Sequence, residues 1–107
     1  MFVVLLRFAE NKSLAGQFMA AHNTWISEGI DAGLFLVVGS LQPQQGGAVL
    51  VHNSSLAELQ ERVNADPFVR EGVVKAEILE MTPVKTDARL NFLLDESLQF
   101  NERTPNS

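Results

Sequence analysis

Apolar positions change their spacing several times along the chain, and each change marks an element. Phe2, Val4, Leu6 and Phe8 alternate with Val3 and Leu5, so both sets of a two-residue repeat are apolar. That pattern predicts a strand buried on both faces. From Ser13 to about Glu28 the repeat becomes helical. Leu14, Ala15, Phe18, Met19, Ala21, Trp25 and Ile26 form the stripe, with Gly16, Gln17, Asn23, Thr24 and Ser27 opposite and Gly29 as the expected stop.

Gly33 opens a second β-rich run, Leu34 to Val38, ended by Gly39-Ser40 and a polar loop from Gln42 to Gly47. Ala48 to His52 follows directly, and two such runs around a Gly/Pro loop predict a hairpin. Ser55-Leu56-Ala57-Glu58 has the form of a capping box, so a second helix should start there with Leu56, Leu59 and Val63 as its stripe. Asp66-Pro67 punctuates its end, and Val73 to Met81 is a fourth strand closed by Pro83.

The order is β-α-β-β-α-β, the ferredoxin-like arrangement of the α+β class: a four-stranded antiparallel sheet with both helices on one face. Two helices cover only that face, yet the strands are apolar on both. The uncovered face predicts an interface, here a homodimer packed sheet to sheet, with further pairing of dimers left open. Residues 1–84 make the domain and 85–107 an extension. Leu90, Leu93, Leu94 and Leu98 suggest a short helix that could dock on the partner subunit, and Asn101 to Ser107 reads as a frayed end.

Composition narrows the class of protein. At 107 residues with 46% hydrophobic side chains the chain is one domain able to build its own core. It has no cysteine, which removes thiol nucleophiles, thiolate metal sites and disulfides. The formal charge of −5 argues against nucleic acid as a partner. The apolar opening lacks the flanks of a signal peptide, and no run reaches the length of a membrane span. The expectation is a soluble cytoplasmic protein with no membrane partner.

Candidate chemistry centres on His22. With Leu14 at zero and about 100° per residue, Phe18 falls near 40°, Trp25 near 20°, Met19 near 140° and His22 near 80°, in the middle of the apolar stripe. A titratable ring aimed at a sheet must find a polar partner. It is either a core histidine satisfied by one carbonyl or a general acid/base. Asp66 reads as the N-cap of a short turn with Pro67 at its first position. Both helices share one face of the sheet, so its carboxylate could also orient the imidazole. Gly39 and Ser40 could hold a substrate oxygen, or be turn residues. Arg7 could pair with an acidic substrate or reach solvent, and Trp25 and Phe68 could wall a pocket or pack the core. Two distant histidines make no metal motif, Gly46-Gly47 precedes no helix, and no cofactor is indicated.

His22-Asn23-Thr24-Trp25-Ile26 with Gly29, then Gly33-Leu34, Gly39-Ser40, Gly46-Gly47-Ala48 and Asp66-Pro67-Phe68, resemble in order and spacing the YciI-like (YCII-related) family of the dimeric α+β barrel superfamily. The resemblance spans about residues 1–84 and implies a ferredoxin-like fold dimerising through its sheets. It also implies an active site of paired histidine and aspartate, here His22 and Asp66. Many members have Gly-Pro where this chain has Gly39-Ser40, and a basic residue where it has Phe18. The leading expectation is a cofactor-independent lyase, isomerase or hydrolase acting on a small organic substrate, aromatic or lactone-like ones included. The alternatives are a non-catalytic small-molecule-binding or accessory module, and a haem-handling protein using His22 as ligand.

Overall fold

The computed structural model describes residues 1–94. In chain order it contains β1 (Phe2–Phe8), a 3-10 turn (Lys12–Leu14), α1 (Ala15–Asp31), β2 (Phe35–Leu41), β3 (Gly46–Val51), α2 (Leu56–Asn64), a one-turn helix α3 (Pro67–Arg70), β4 (Val74–Glu80) and a 3-10 turn (Ala88–Leu90). The four strands form one antiparallel sheet in the order β2-β3-β1-β4. This is the ferredoxin-like α+β fold expected from the alternation of repeats. Expected Leu98 and Asn101 to Ser107 lie outside the described residues.

Phe2, Val4 and Leu6 of β1, Val49 and Val51 of β3 and Val74 of β4 are buried on the helix side of the sheet, against Trp25 of α1 and Leu59 and Val63 of α2. Leu56 of the predicted α2 stripe is instead exposed at 43%. It sits in the first turn, and the ring of buried contacts begins one turn later. The N-cap half of the box is formed: Ser55 Oγ accepts the Glu58 backbone N–H at 3.2 Å.

Gly29 does not stop α1, which runs on to Asp31. Its missing side chain serves close packing, since a Cβ there would collide with the Phe35 ring. The stop is Gly33, at φ 76°. There the Gly33 N–H bonds the Ile30 carbonyl and the Leu34 N–H bonds the Gly29 carbonyl, both at 3.0 Å, which satisfies the last carbonyls of the helix.

Gly39 and Ser40 lie inside β2 rather than ending it, opposite Ala48 and Gly47. A register shift between Phe35 and Val37 reverses the alternation of the strand. Phe35 points to the helices, the extra residue is absorbed, and Val38 and Ser40 return to the helix side in step with Val49 and Gly47. Without the bulge, Ser40 would face the opposite way.

The outer face of the sheet carries Val3, Leu5, Leu36 and Leu50, half-buried, and Val37 and Leu79, exposed at 56% and 45%. The chain after β4 folds back over one end of this face. Leu93 is 4% exposed and, with Met81 and Leu90, lines a groove of about 570 Å³ against Met1, Leu36 and Leu50. The start of the predicted extension therefore packs on its own sheet. No helix among the described residues is long and apolar enough to cross a membrane.

Candidate active site

Helix α1 and the start of α3 meet over the sheet, and this meeting brings His22 to Asp66 across 44 residues of sequence. His22 Nδ1 lies 2.7 Å from Asp66 Oδ1. The local reading of Asp66 also holds. The same Oδ1 accepts the Phe68 backbone N–H at 3.0 Å, with Pro67 at the first position of α3. One oxygen thus caps a helix and receives an imidazole.

Asp66 is fully buried and its Oδ2 has no hydrogen-bond partner among the described residues. A carboxylate only accepts, so Oδ1 requires donors from both neighbours, and Nδ1 is the nitrogen that carries the proton. Nε2 is left for the cleft. The His22 side chain is 12% exposed. Its ring lies flat on Phe68, with centroids 3.9 Å apart and planes inclined by 3°. Phe68 thereby holds both members of the pair, the aspartate through its N–H and the histidine through its ring.

His22 forms part of the wall of a cleft of about 300 Å³ between α1 and the sheet. Met19, Asn23 and Ile26 line it from the helix, and Leu6, Val38, Ser40, Gly47 and Val49 from the strands. Gly39 and Phe68 border it as well. Asn23, expected opposite the apolar stripe, and Met19, on its flank and 42% exposed, both border the cleft. On the sheet side, Gly39 and Ser40 are the two lining residues the sequence nominates; Leu6, Val38 and Val49 are not, since cleft-facing apolar strand residues read simply as core.

Two predicted site residues are placed elsewhere. Arg7 projects from the outer face, out of step with buried Leu6, and its Nη1 donates to Glu77 Oε1 at 2.9 Å. Alternation along β1 turns it away from the cleft. Trp25 is 5% exposed in the core, its ring tilted against Phe35 at 5.0 Å and its indole N–H donating to the Arg62 carbonyl at 2.8 Å. It supports His22 from behind, with ring centroids 5.9 Å apart. His52, at the end of β3, meets the edge of the Phe92 ring at 5.5 Å. No group of three or more His, Asp or Glu among the described residues could hold a metal ion.

No curated protein matches this chain in sequence. Among solved structures it is similar to 5-chloro-2-hydroxyhydroquinone dehydrochlorinase from Burkholderia phenoliruptrix AC1100, in complex with 2,5-dihydroxybenzoquinone, with a TM-score of 0.62 and 16% identity over 76% of this chain and 93% of that one. The likeness is one of fold. The order of motifs read from the sequence is matched by a family model over residues 1–82, and the chain belongs to the family of the YCII-related domain.

Proposed function

We propose that this protein is a small enzyme that moves a proton on a small organic substrate, with His22 as general acid/base and Asp66 as its positioning residue. The observation that carries this reading is the 2.7 Å contact between His22 Nδ1 and a buried carboxylate, on the wall of a ligand-sized cleft. Nε2 takes a proton from the bound substrate, and the electron pair of the broken bond forms a new double bond. In an elimination a leaving group departs with its own pair. In an isomerisation the imidazolium returns the proton to another atom. Asp66 stabilises the imidazolium and fixes the ring by accepting from Nδ1. The structurally similar protein is a dehydrochlorinase, which makes elimination the first reaction class to screen.

His22→Ala should lower an identified turnover by about 10²–10⁴-fold, the usual contribution of a positioned general acid/base. Turnover unchanged by that substitution would replace the enzyme reading with that of a binding module. We further propose that the protein works as a homodimer, since the outer sheet face leaves Val37 and Leu79 exposed beside half-buried Val3 and Leu5.

A further inference from the structure

The stretch that belongs to the YCII-related domain ends at Thr82. Residues 83–94 then form a strap across one end of the outer sheet face, and its course is fixed at several points. At its root the Met81 N–H bonds the Met1 carbonyl at 2.9 Å. Further along, Thr86 Oγ1 donates to Asn91 Oδ1 at 2.8 Å, Asp87 Oδ1 accepts the Arg89 N–H at 2.9 Å, and Leu93 is buried. The strap is thus held in place before anything meets it. Its outward side is apolar and uncovered: Val84, Leu90 and Phe92 are all exposed, Val84 at 80%.

These side chains continue a patch that the sheet begins. Val37, Leu50, Val3 and Leu79 form one row across β2, β3, β1 and β4 on the outer face. Val37, Met81, Val84 and Leu90, all exposed, line the groove of about 570 Å³ between strap and sheet. Sheet and strap therefore present one apolar surface. Charges beside it are neutralised within the chain, Arg7 by Glu77 and Asp87 by Arg89, so neither pair needs a partner from outside. Lys85, the remaining charged side chain on the groove, is exposed.

Area decides what the sheet can do alone. A stable interface takes about 800 Å² from each partner. Even large aromatic side chains bury only about 150–250 Å² each, so Val37 and Leu79, about half exposed, fall well short of it. The strap and its root add Met81, Val84, Leu90 and Phe92, more exposed apolar side chains than the sheet itself offers. A two-fold axis sets a surface against its own copy, so a groove and an exposed apolar rim on one patch can fill each other.

We propose that the strap of residues 83–94 is an interface element for a second copy of this chain, and that Val84, Leu90 and Phe92 hold two copies together along with the sheet. The proposal rests on the homodimer reading and adds to it that residues 1–82 by themselves leave the interface incomplete.

Sedimentation equilibrium of the full chain at micromolar concentrations tests it. Val84→Asp is the central variant, because a charge at so exposed a position costs the single chain little and any large effect must come through the partner. Leu90→Glu serves should that variant fail to fold. Ile30→Asp is the control, an exposed apolar position at the end of α1 on the opposite side of the sheet. Wild type and Ile30→Asp should give the same dimer, and each strap variant should raise its dissociation constant by about tenfold or more, with amide spectra reporting a retained fold. Strap variants that dimerise as wild type does would overturn the proposal and leave the sheet-to-sheet dimer, probed by Leu79→Lys, standing. Equal weakening by Ile30→Asp would trace the effect to net charge and overturn it too. A monomeric wild type would overturn both the strap and the homodimer.

Discussion

Replacing Asp66 by asparagine and by alanine separates the cap from the charge. Asparagine keeps an oxygen at the Oδ1 position. The Phe68 N–H, 3.0 Å away, requires an acceptor there, and a flipped amide would set two N–H groups against each other. The side chain is therefore locked with its oxygen toward His22, and the imidazole keeps its proton on Nδ1. What is lost is the difference between a charge-assisted and a neutral hydrogen bond, about 1 kcal/mol. The amide NH₂ takes the place of Oδ2, which has no partner among the described residues, so that exchange adds little. Alanine removes the cap, about 1 kcal/mol, and the bond to His22, about 1.5–3 kcal/mol, with part regained by no longer burying a carboxylate. The net loss should be about 2–3 kcal/mol. Urea unfolding at one fixed protein concentration measures both losses, and long-range ¹H–¹⁵N correlation reads which ring nitrogen is protonated. A His22 ring in Asp66→Asn with its proton moved to Nε2, or an alanine variant as stable as wild type, would refute the reasoning.

Gly33→Ala should destabilise by about 1 kcal/mol or more, because φ 76° is strained for any residue with a Cβ, and thermal unfolding checks it. Light scattering at micromolar concentration should give twice the chain mass, and Leu79→Lys should shift it toward the monomer; a wild-type monomer would dismiss the sheet-to-sheet dimer. The Asp87 carboxyl is held below the ordinary aspartate value by the Arg89 side chain and then by the Arg89 backbone N–H. A value depressed in the fold gives stability present above the unfolded value and lost as pH falls through the folded one. The Asp87 resonance should therefore titrate at lower pH than in Arg89→Ala, and equal midpoints would contradict this.

Legibility in the sequence followed the range of the interactions. Strand and helix order came through because alternation and helical spacing are local consequences of backbone geometry, and the capping box at Ser55 and the turn at Asp66-Pro67 are closed within three residues. The centring of His22 on an apolar stripe was likewise visible, as was the conflict between an apolar outer face and only two helices to cover one side. The boundary at Gly29 misled because glycine marks both a helix end and a close approach. Only the contact with Phe35, itself placed by the turn at Gly33, decides which. Arg7 and Trp25 are assigned by direction. Their residue types suit a site, but the sheet turns one outward and the core takes the other inward.

The site itself belongs to tertiary structure. That His22 and Asp66 meet depends on where the end of α2 delivers α3 against α1, a placement set by the joint packing of Leu59, Val63, Trp25 and Phe68 in one core. That Ser40 faces the cleft depends on one bulge in β2, a register choice between strands that no single strand encodes. Short-range chemistry therefore determined the elements and nominated the histidine. The long-range docking of helices on a sheet, where burial and register are settled jointly, decided its partner and its cleft.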